Sequence, residues 1–358
     1  MFTLHACLLF YTILCRFSHA LSSTAVTRDV TYSSTTTIGK NSLSSGSGIS
    51  YISYGSTVTL SAGPSQVSPG GPTASTTFAT ASIPAGQSCN GSPELCSRPY
   101  SNITYIGAHN SPFAFAQNPA SNQDYGVTAQ LHDGIRMLQG QTRFVNDTVY
   151  YCHTSCGLLN AGTAESYFAN ITTWLAANPY EVVTLLIGNG DSVPVQTITA
   201  PLESSGLAQY AFFPPIIPMG LSDWPTLGEL ISSNQRAVIF IDYKANQTAV
   251  PYILDEFSQL WETPFDPTDG SFPCTVQRPP GLTDPQARGR MYMANHNLNS
   301  ELTVFGNDIH VPATKQLLQT NAASGYGSLG LAANNCAGEL LGLRTALPDG
   351  ALSPSLQY

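Results

Sequence analysis

Hydrophobic positions change their pattern once along the chain. From residue 89 onward, short apolar runs alternate with amphipathic stretches. Residues 103–108 and 134–139 read as strands, and 148–153 as a hairpin partner of the second. Residues 164–178 set Tyr167, Phe168, Ile171, Trp174 and Leu175 on one face of a helix. Residues 181–187 and 237–242 are uninterrupted enough to be buried strands. Residues 252–261 read as a helix, 291–294 as a strand and 314–322 as a helix. Buried strands alternating with helices imply parallel βα units. Polar residues at the strand ends, His109, Gln139, Asp242 and Asn295, imply a site at the C-terminal mouth of the sheet. The expected fold is therefore α/β, a distorted TIM-type barrel. A dinucleotide-binding sheet fits less well, because no Gly-x-Gly-x-x-Gly follows the first strand.

The chain before this point is different. In residues 21–85, 28 of 65 positions are Ser or Thr, and large aliphatic residues are sparse. That composition predicts a flexible, O-glycosylated stalk, with residues 49–60 alternating enough to form a β-ribbon. Residues 8–14 form an apolar run and Ala20 ends a small-residue site, which predicts a secretory signal at 1–20. The run is too short to span a bilayer. The barrel is expected over 86–358.

Composition supports export. Charged residues are 10% of the 358 positions and the net charge is −9, against about 25% charged in an ordinary soluble domain. Such an acidic chain excludes a nucleic-acid partner, which needs a Lys/Arg surface. Five N-glycosylation triplets begin at Asn90, Asn102, Asn146, Asn170 and Asn246. Outside the signal lie six cysteines, which allow fifteen pairings. Proximity favours Cys89–Cys96 and Cys152–Cys156, leaving Cys274–Cys336. Zinc at Cys152-His153-x-x-Cys156 fails, because no second pair at ligand spacing exists.

Two histidines end predicted strands, in Gly107-Ala108-His109-Asn110-Ser111 and Tyr151-Cys152-His153-Thr154. In a barrel both point into one mouth, where two imidazoles act as base and acid on a phosphodiester. Taken singly, each is more readily a satisfied structural histidine. Asp242 is balanced between a mouth carboxylate and a helix N-cap. His296 is a candidate substrate contact, and His132 and His310 are assigned to the surface.

These segments, with Gly134-Ile135-Arg136-Met137-Leu138-Gln139, resemble the phosphatidylinositol-specific phospholipase C X-domain family, above all its secreted fungal PLC-like branch. The resemblance runs from about Cys89 to about Asn335. It implies a PLC-like phosphodiesterase barrel with His109 as the base that activates an inositol hydroxyl and His153 as the acid toward the leaving oxygen. It also implies substrate-binding roles for Asn110 and Arg136. Where calcium-dependent relatives carry carboxylates, this chain has Gln139 and Gln141, and Gly188-Asn189-Gly190 ends the strand that supplies another. Two neutral amides make a poor cage for a hard cation, so no metal or cofactor is expected. Arg143 shares the strand parity of both glutamines and is a candidate for phosphate charge. The same amides argue against a glycerophosphodiesterase or sphingomyelinase D, which need a Glu-x-Asp metal pair. Relatives close with a Val/Leu/Phe-rich strand, whereas residues after Cys336 lack one, so an incomplete last strand, from truncation or different splicing, is expected. The reading is a secreted or wall-bound monomer that cleaves a phosphoinositide-like diester, with transient membrane contact. The alternative is a catalytically impaired surface glycoprotein that keeps the pocket for binding.

Overall fold

The two uninterrupted apolar runs form the centre of a mainly parallel sheet. The computed structural model describes residues 83–84, 86–115, 118, 120–304 and 307–341, together with 43–44, 50–52, 54 and 57–59. The predicted signal, Cys7 and Cys15, most of the predicted stalk and the chain beyond 341 lie outside the described residues.

The sheet contains β1 (Gly107–Ala108), β2 (Met137–Val145), β3 (Thr148–His153), β4 (Leu159–Thr163), β5 (Val183–Asn189), β6 (Ala237–Ile241) and β7 (Ile253–Asp255). Strands β1, β2, β5, β6 and β7 are parallel neighbours in chain order. Beyond residue 141, β2 pairs antiparallel with β3, and β3 with β4. All seven residues of β5 and all five of β6 are buried, as expected for strands covered on both faces. Ile187, Ile239 and Ile241 pack toward the helices with Phe168, Ile171 and Leu175 of α2 (Ala164–Ala177). Leu186, Val238 and Phe240 pack on the other face with Tyr100, Trp224 and Leu227. The polar Gln139, Gln141 and Asp242 have the parity of this second face.

Helix α2 begins where Thr163 accepts a hydrogen bond from the Ser166 N–H at 3.2 Å. Its apolar residues recur at helical spacing and are buried. The predicted helix at 252–261 is replaced by β7, the single turn α3 (Glu256–Gln259) and β8 (Leu260–Glu262). Asp255 caps that turn by accepting from Ser258 N–H at 2.9 Å. Ile253, Leu254, Phe257 and Trp261 are all buried, so the segment has no solvent face for helical periodicity to mark. Strand β8 pairs in parallel with β9 (Met291–Met293) as a separate two-stranded sheet. A hairpin of β10 (Asn299–Val304) and β11 (Asn307–Pro312) follows, unpredicted by the sequence reading. The helix expected at 314–322 shrinks to a 3-10 turn and α4 (Leu317–Thr320) before α5 (Leu329–Leu341). Among the described residues, the fold is mixed α/β around a central sheet, and the hydrogen-bonded ring of a closed barrel is not formed.

Short pieces of the Ser/Thr-rich region lie on this body. Leu43–Ser44 pairs with Ser50–Tyr51, and Val58–Thr59 with Ile216–Ile217. Tyr51 is buried edge-on against Phe257, ring centres 4.9 Å apart. Disulfides join Cys89–Cys96, Cys152–Cys156 and Cys274–Cys336, as proximity favoured. No described helix is long and apolar enough to cross a membrane.

Candidate active site

Strands β1 and β3 both pair with β2 and bring their C-terminal ends toward one another along it. His109 follows β1, and His153 is the last residue of β3. The turn after His109 lies close on β2 at Gly140, where a Cβ would fall 2.8 Å from Pro112 and 2.9 Å from Tyr151. Only glycine allows that approach.

Asn110 is buried and takes φ 52°, a left-handed conformation that asparagine tolerates. Its backbone N–H donates to Gln139 Oε1 at 2.9 Å. Its side-chain Nδ2 lies 2.9 Å from His109 Nε2 and 3.3 Å from Asn122 Oδ1. An amide donor at Nε2 leaves that nitrogen unprotonated and the ring proton on Nδ1. The His109 carbonyl accepts from Gln123 Nε2 at 2.7 Å. Burial, with the nearby His153, pulls the His109 pKa down to about 4, so its imidazole is neutral at neutral pH.

The Cys152–Cys156 disulfide closes a tight loop beginning at His153. The His153 ring lies 5.1 Å from that of Phe113. Its Nδ1 is buried without a hydrogen-bond partner. Burial lowers its pKa, and the Asp266 carboxylate opposes the shift. Asp266 itself is raised by burial, against the pull of His310, Arg278 and His153.

The remaining predicted residues divide in two. Gln139 supports the Asn110 turn. Gln141 projects from the same face of β2, and its amide makes no hydrogen bond among the described residues. Arg143 Nη1 donates to Asp191 Oδ1 at 2.7 Å and Gly190 O at 3.0 Å, and its Nη2 to Thr154 O at 2.9 Å. It thus braces the His153 loop against the end of β5. Asp242 Oδ1 accepts from the N–H groups of Asn189 at 2.8 Å and Tyr243 at 2.7 Å. Burial pushes its carboxyl up to about 6, against those hydrogen bonds and Arg278.

Arg136 and His296 are not brought to the histidine pair. Arg136 precedes β2, at the opposite end of the strand. Its Nε donates to Glu181 Oε2 at 2.8 Å, its Nη1 to the Leu131 and Ile135 carbonyls, and it lies over Trp174. His296 stacks on Phe272 and sits 3.0 Å from Thr320 O. At this strand end it is Asn295 that turns inward, with Nδ2 donating to Glu262 Oε2 at 3.1 Å. His132 lies edge-on to Trp174, and His310 stands 3.5 Å from Glu301 on the β10–β11 hairpin.

Sequence reasoning missed Arg278, Asp266 and Glu256. Arg278 Nη1 pairs with Glu262 at 3.0 Å, Nη2 donates to the Tyr243 hydroxyl at 2.7 Å, and the guanidinium lies against Phe257 and Phe265. Burial works against its charge, but Glu262 and its neighbours hold its pKa above the ordinary value. Glu256 is wholly buried, its carboxyl against that of Glu262. Burial first, then the Glu262 charge, holds its carboxyl well above the usual range. These residues stand in loops or within an apolar run, with no spacing to mark them. Their one signal is scarcity, in a chain only 10% charged. Among the described residues no three His, Cys, Asp or Glu side chains converge as metal ligands.

The PI-PLC X family model, PI-PLC X 1, matches residues 95–343. A protein of Arthroderma benhamiae named "Uncharacterized secreted protein" is 58% identical over 248 residues, 69% of this chain and 56% of that one. "PI-PLC X domain-containing protein 1" of the same fungus is 44% identical over 265 residues, covering 73% of this chain and 84% of that one. A PI-PLC X domain-containing protein of Arabidopsis thaliana is 26% identical over 45% of this chain and 41% of its own length. The chain thus spans just over half of the first of these relatives. A solved phosphatidylinositol-specific phospholipase C from Listeria monocytogenes aligns with TM-score 0.34 and 14% identity, over 42% of this chain and 54% of that one.

Proposed function

The chain belongs to the PI-PLC X domain family, and we propose that it is a secreted phosphoric diester hydrolase working by metal-independent two-histidine catalysis. The observation that carries this reading is the pair of strand-end histidines: His109, whose pKa burial holds low, and His153, near enough to act electrostatically on it. A substrate hydroxyl displaces the Asn110 amide from His109 Nε2 and gives up its proton there. Its oxygen attacks phosphorus as the bond from phosphorus to the leaving oxygen breaks. His153 Nε2 donates a proton to that oxygen. Arg278 has uncommitted N–H groups and acts electrostatically on Asp266, the carboxylate beside His153. It is the candidate to meet phosphate charge in place of a cation. Gln141 offers a further amide donor. In this reading β1, β2, β5, β6 and β7 with β8–β9 are the wall of a distorted barrel. The substrate is a phosphoinositide-like lipid or glycosylated derivative. The disulfides and a relative named as a secreted protein support an extracellular place.

The commitment of Arg143 to Asp191 and of Gln139 to Asn110 favours a second reading, a surface glycoprotein that binds without cleaving. Assay on phosphatidylinositol, with and without chelator, separates the two. Cleavage unaffected by chelator and abolished in both His109→Ala and His153→Ala supports the hydrolase. With a good leaving group, His153→Ala recovers activity and His109→Ala does not. Chelator-sensitive cleavage overturns the metal-free mechanism.

A further inference from the structure

The helix-covered side of the sheet carries a groove that the histidine pair does not use. It sits between α2 and the short helix α1 (Val127–His132), measures about 180 Å³, and is lined by Thr128, His132, Asn170, Thr173, Trp174 and Asn178. Trp174 is its buried floor, with the Arg136 guanidinium 4.9 Å over the ring. Arg136 precedes β2, at the end away from His109 and His153, so the groove lies at the far end of the sheet from that pair. The exposed His132 ring stands edge-on to Trp174, ring centres 6.2 Å apart.

Asn170 begins the triplet Asn170-Ile171-Thr172 and is exposed on α2 one turn before Trp174, on the same side of the helix. A sugar built on its Nδ2 therefore starts at the groove. A tethered ring meets the groove walls at high effective concentration and gives up little further translational freedom. An N-acetylhexosamine has an apolar C–H face and a rim of hydroxyls with one acetamide. The His132 and Trp174 rings offer the apolar contact. Thr173 Oγ1 donates to the Ala169 carbonyl at 2.9 Å, and Asn178 Nδ2 to the Trp174 carbonyl at 2.7 Å. Both side-chain oxygens thus keep acceptor capacity for sugar hydroxyls. Sites for drug-sized ligands begin at about 300 Å³, so this groove suits one sugar ring and not several.

We propose that the first N-acetylglucosamine of a glycan on Asn170 lies in this groove and ties α1 to α2. Such a glycan requires export, so its presence rests on the extracellular reading and is independent of catalysis. Its contribution is to stability: the sugar covers the His132 and Trp174 rings and bridges two helices that α2 alone does not hold together.

The test compares melting temperatures of the full chain secreted from a eukaryotic host, with glycopeptide mapping of the same material. Asn170→Gln is expected to lower the melting temperature by at least about 2 °C. Asn102→Gln, which removes a triplet at the exposed end of a 3-10 turn, is expected to lower it by less than about 1 °C. Trimming every glycan to a single N-acetylglucosamine with an endoglycosidase is expected to keep the wild-type value. His132→Ala is expected to cost more in the glycosylated chain than in the Asn170→Gln background, a non-additivity that loss of a bare helix contact does not give. Equal losses from Asn170→Gln and Asn102→Gln overturn the groove as a sugar site. Additive effects of His132→Ala and Asn170→Gln, or a full loss of the stabilisation on trimming, also overturn it. A map with Asn170 bare does the same, and sugar at the other triplets in that map leaves the extracellular reading standing.

Discussion

If His109 is the base and His153 the acid, the pH profile follows from their surroundings. The base must be neutral and the acid protonated. His109 has a pKa near 4, so at pH 5.5 its neutral form exceeds the charged one by about thirtyfold. His153 lies below 6.5, so at pH 7.5 less than about one-tenth of it carries the proton. The competent form is therefore most abundant above about pH 4 and below the lowered pKa of His153. Activity at pH 7.5 is expected below about a tenth of the plateau. The Asp266 carboxylate holds the upper limb up, so Asp266→Asn should move it downward. The assay is kcat/KM for a water-soluble phosphodiester from pH 3.5 to about 8.5 at constant ionic strength, which reports the free enzyme. Circular dichroism at each pH separates titration from unfolding. A plateau extending beyond pH 8, or an upper limb unmoved in Asp266→Asn, would refute the assignment of His153 as the acid.

Other consequences concern stability and modification. The folded pKa of Glu256 is raised, so the stability tied to its protonation is complete below the unfolded value near 4.5 and lost as pH rises through the folded one. Glu256→Gln should therefore be more stable than wild type at pH 8 and flatten the pH dependence of the denaturation midpoint; a variant less stable at pH 8 contradicts this. From the sequence separations of 62, 7 and 4, loop closure predicts costs of about 4, 2.5 and 2 kcal/mol for removing Cys274–Cys336, Cys89–Cys96 and Cys152–Cys156. Denaturant melts of the paired Cys→Ser variants check that order, while Cys152→Ser/Cys156→Ser should lose activity beyond its stability cost. Asn90 is held by Val182, accepting from its N–H at 2.7 Å and donating to its carbonyl at 3.1 Å, whereas Asn102, Asn146, Asn170 and Asn246 are exposed. Glycopeptide mapping of the secreted chain should find sugar at those four and none at Asn90. Arg136→Gln should lower stability through Glu181 and leave kcat unchanged, read from melts and steady-state kinetics.

Local chemistry made some features legible without coordinates. The apolar runs that become β5 and β6, the amphipathic α2 and the close cysteine pairs each depend on neighbours a few residues away. His109 and His153 stand out because a polar residue ending a buried strand has few places to go except the mouth of the sheet. Tertiary packing decided the rest. Residues 252–261 carry helical spacing, yet burial on every side left that spacing without a solvent face, and a strand, a turn and a strand resulted. Arg136 was legible as a conspicuous charge beside β2, but its end of the strand is set by register, which delivers it to Glu181 and Trp174. Arg278 and Glu262 are 16 residues apart, and Asp266 reaches His153 from more than a hundred residues away. Such pairings arise because a buried charge must find its opposite or lose it, and which opposite is within reach depends on how the strands are ordered. That ordering is a property of the whole chain, and no local pattern records it.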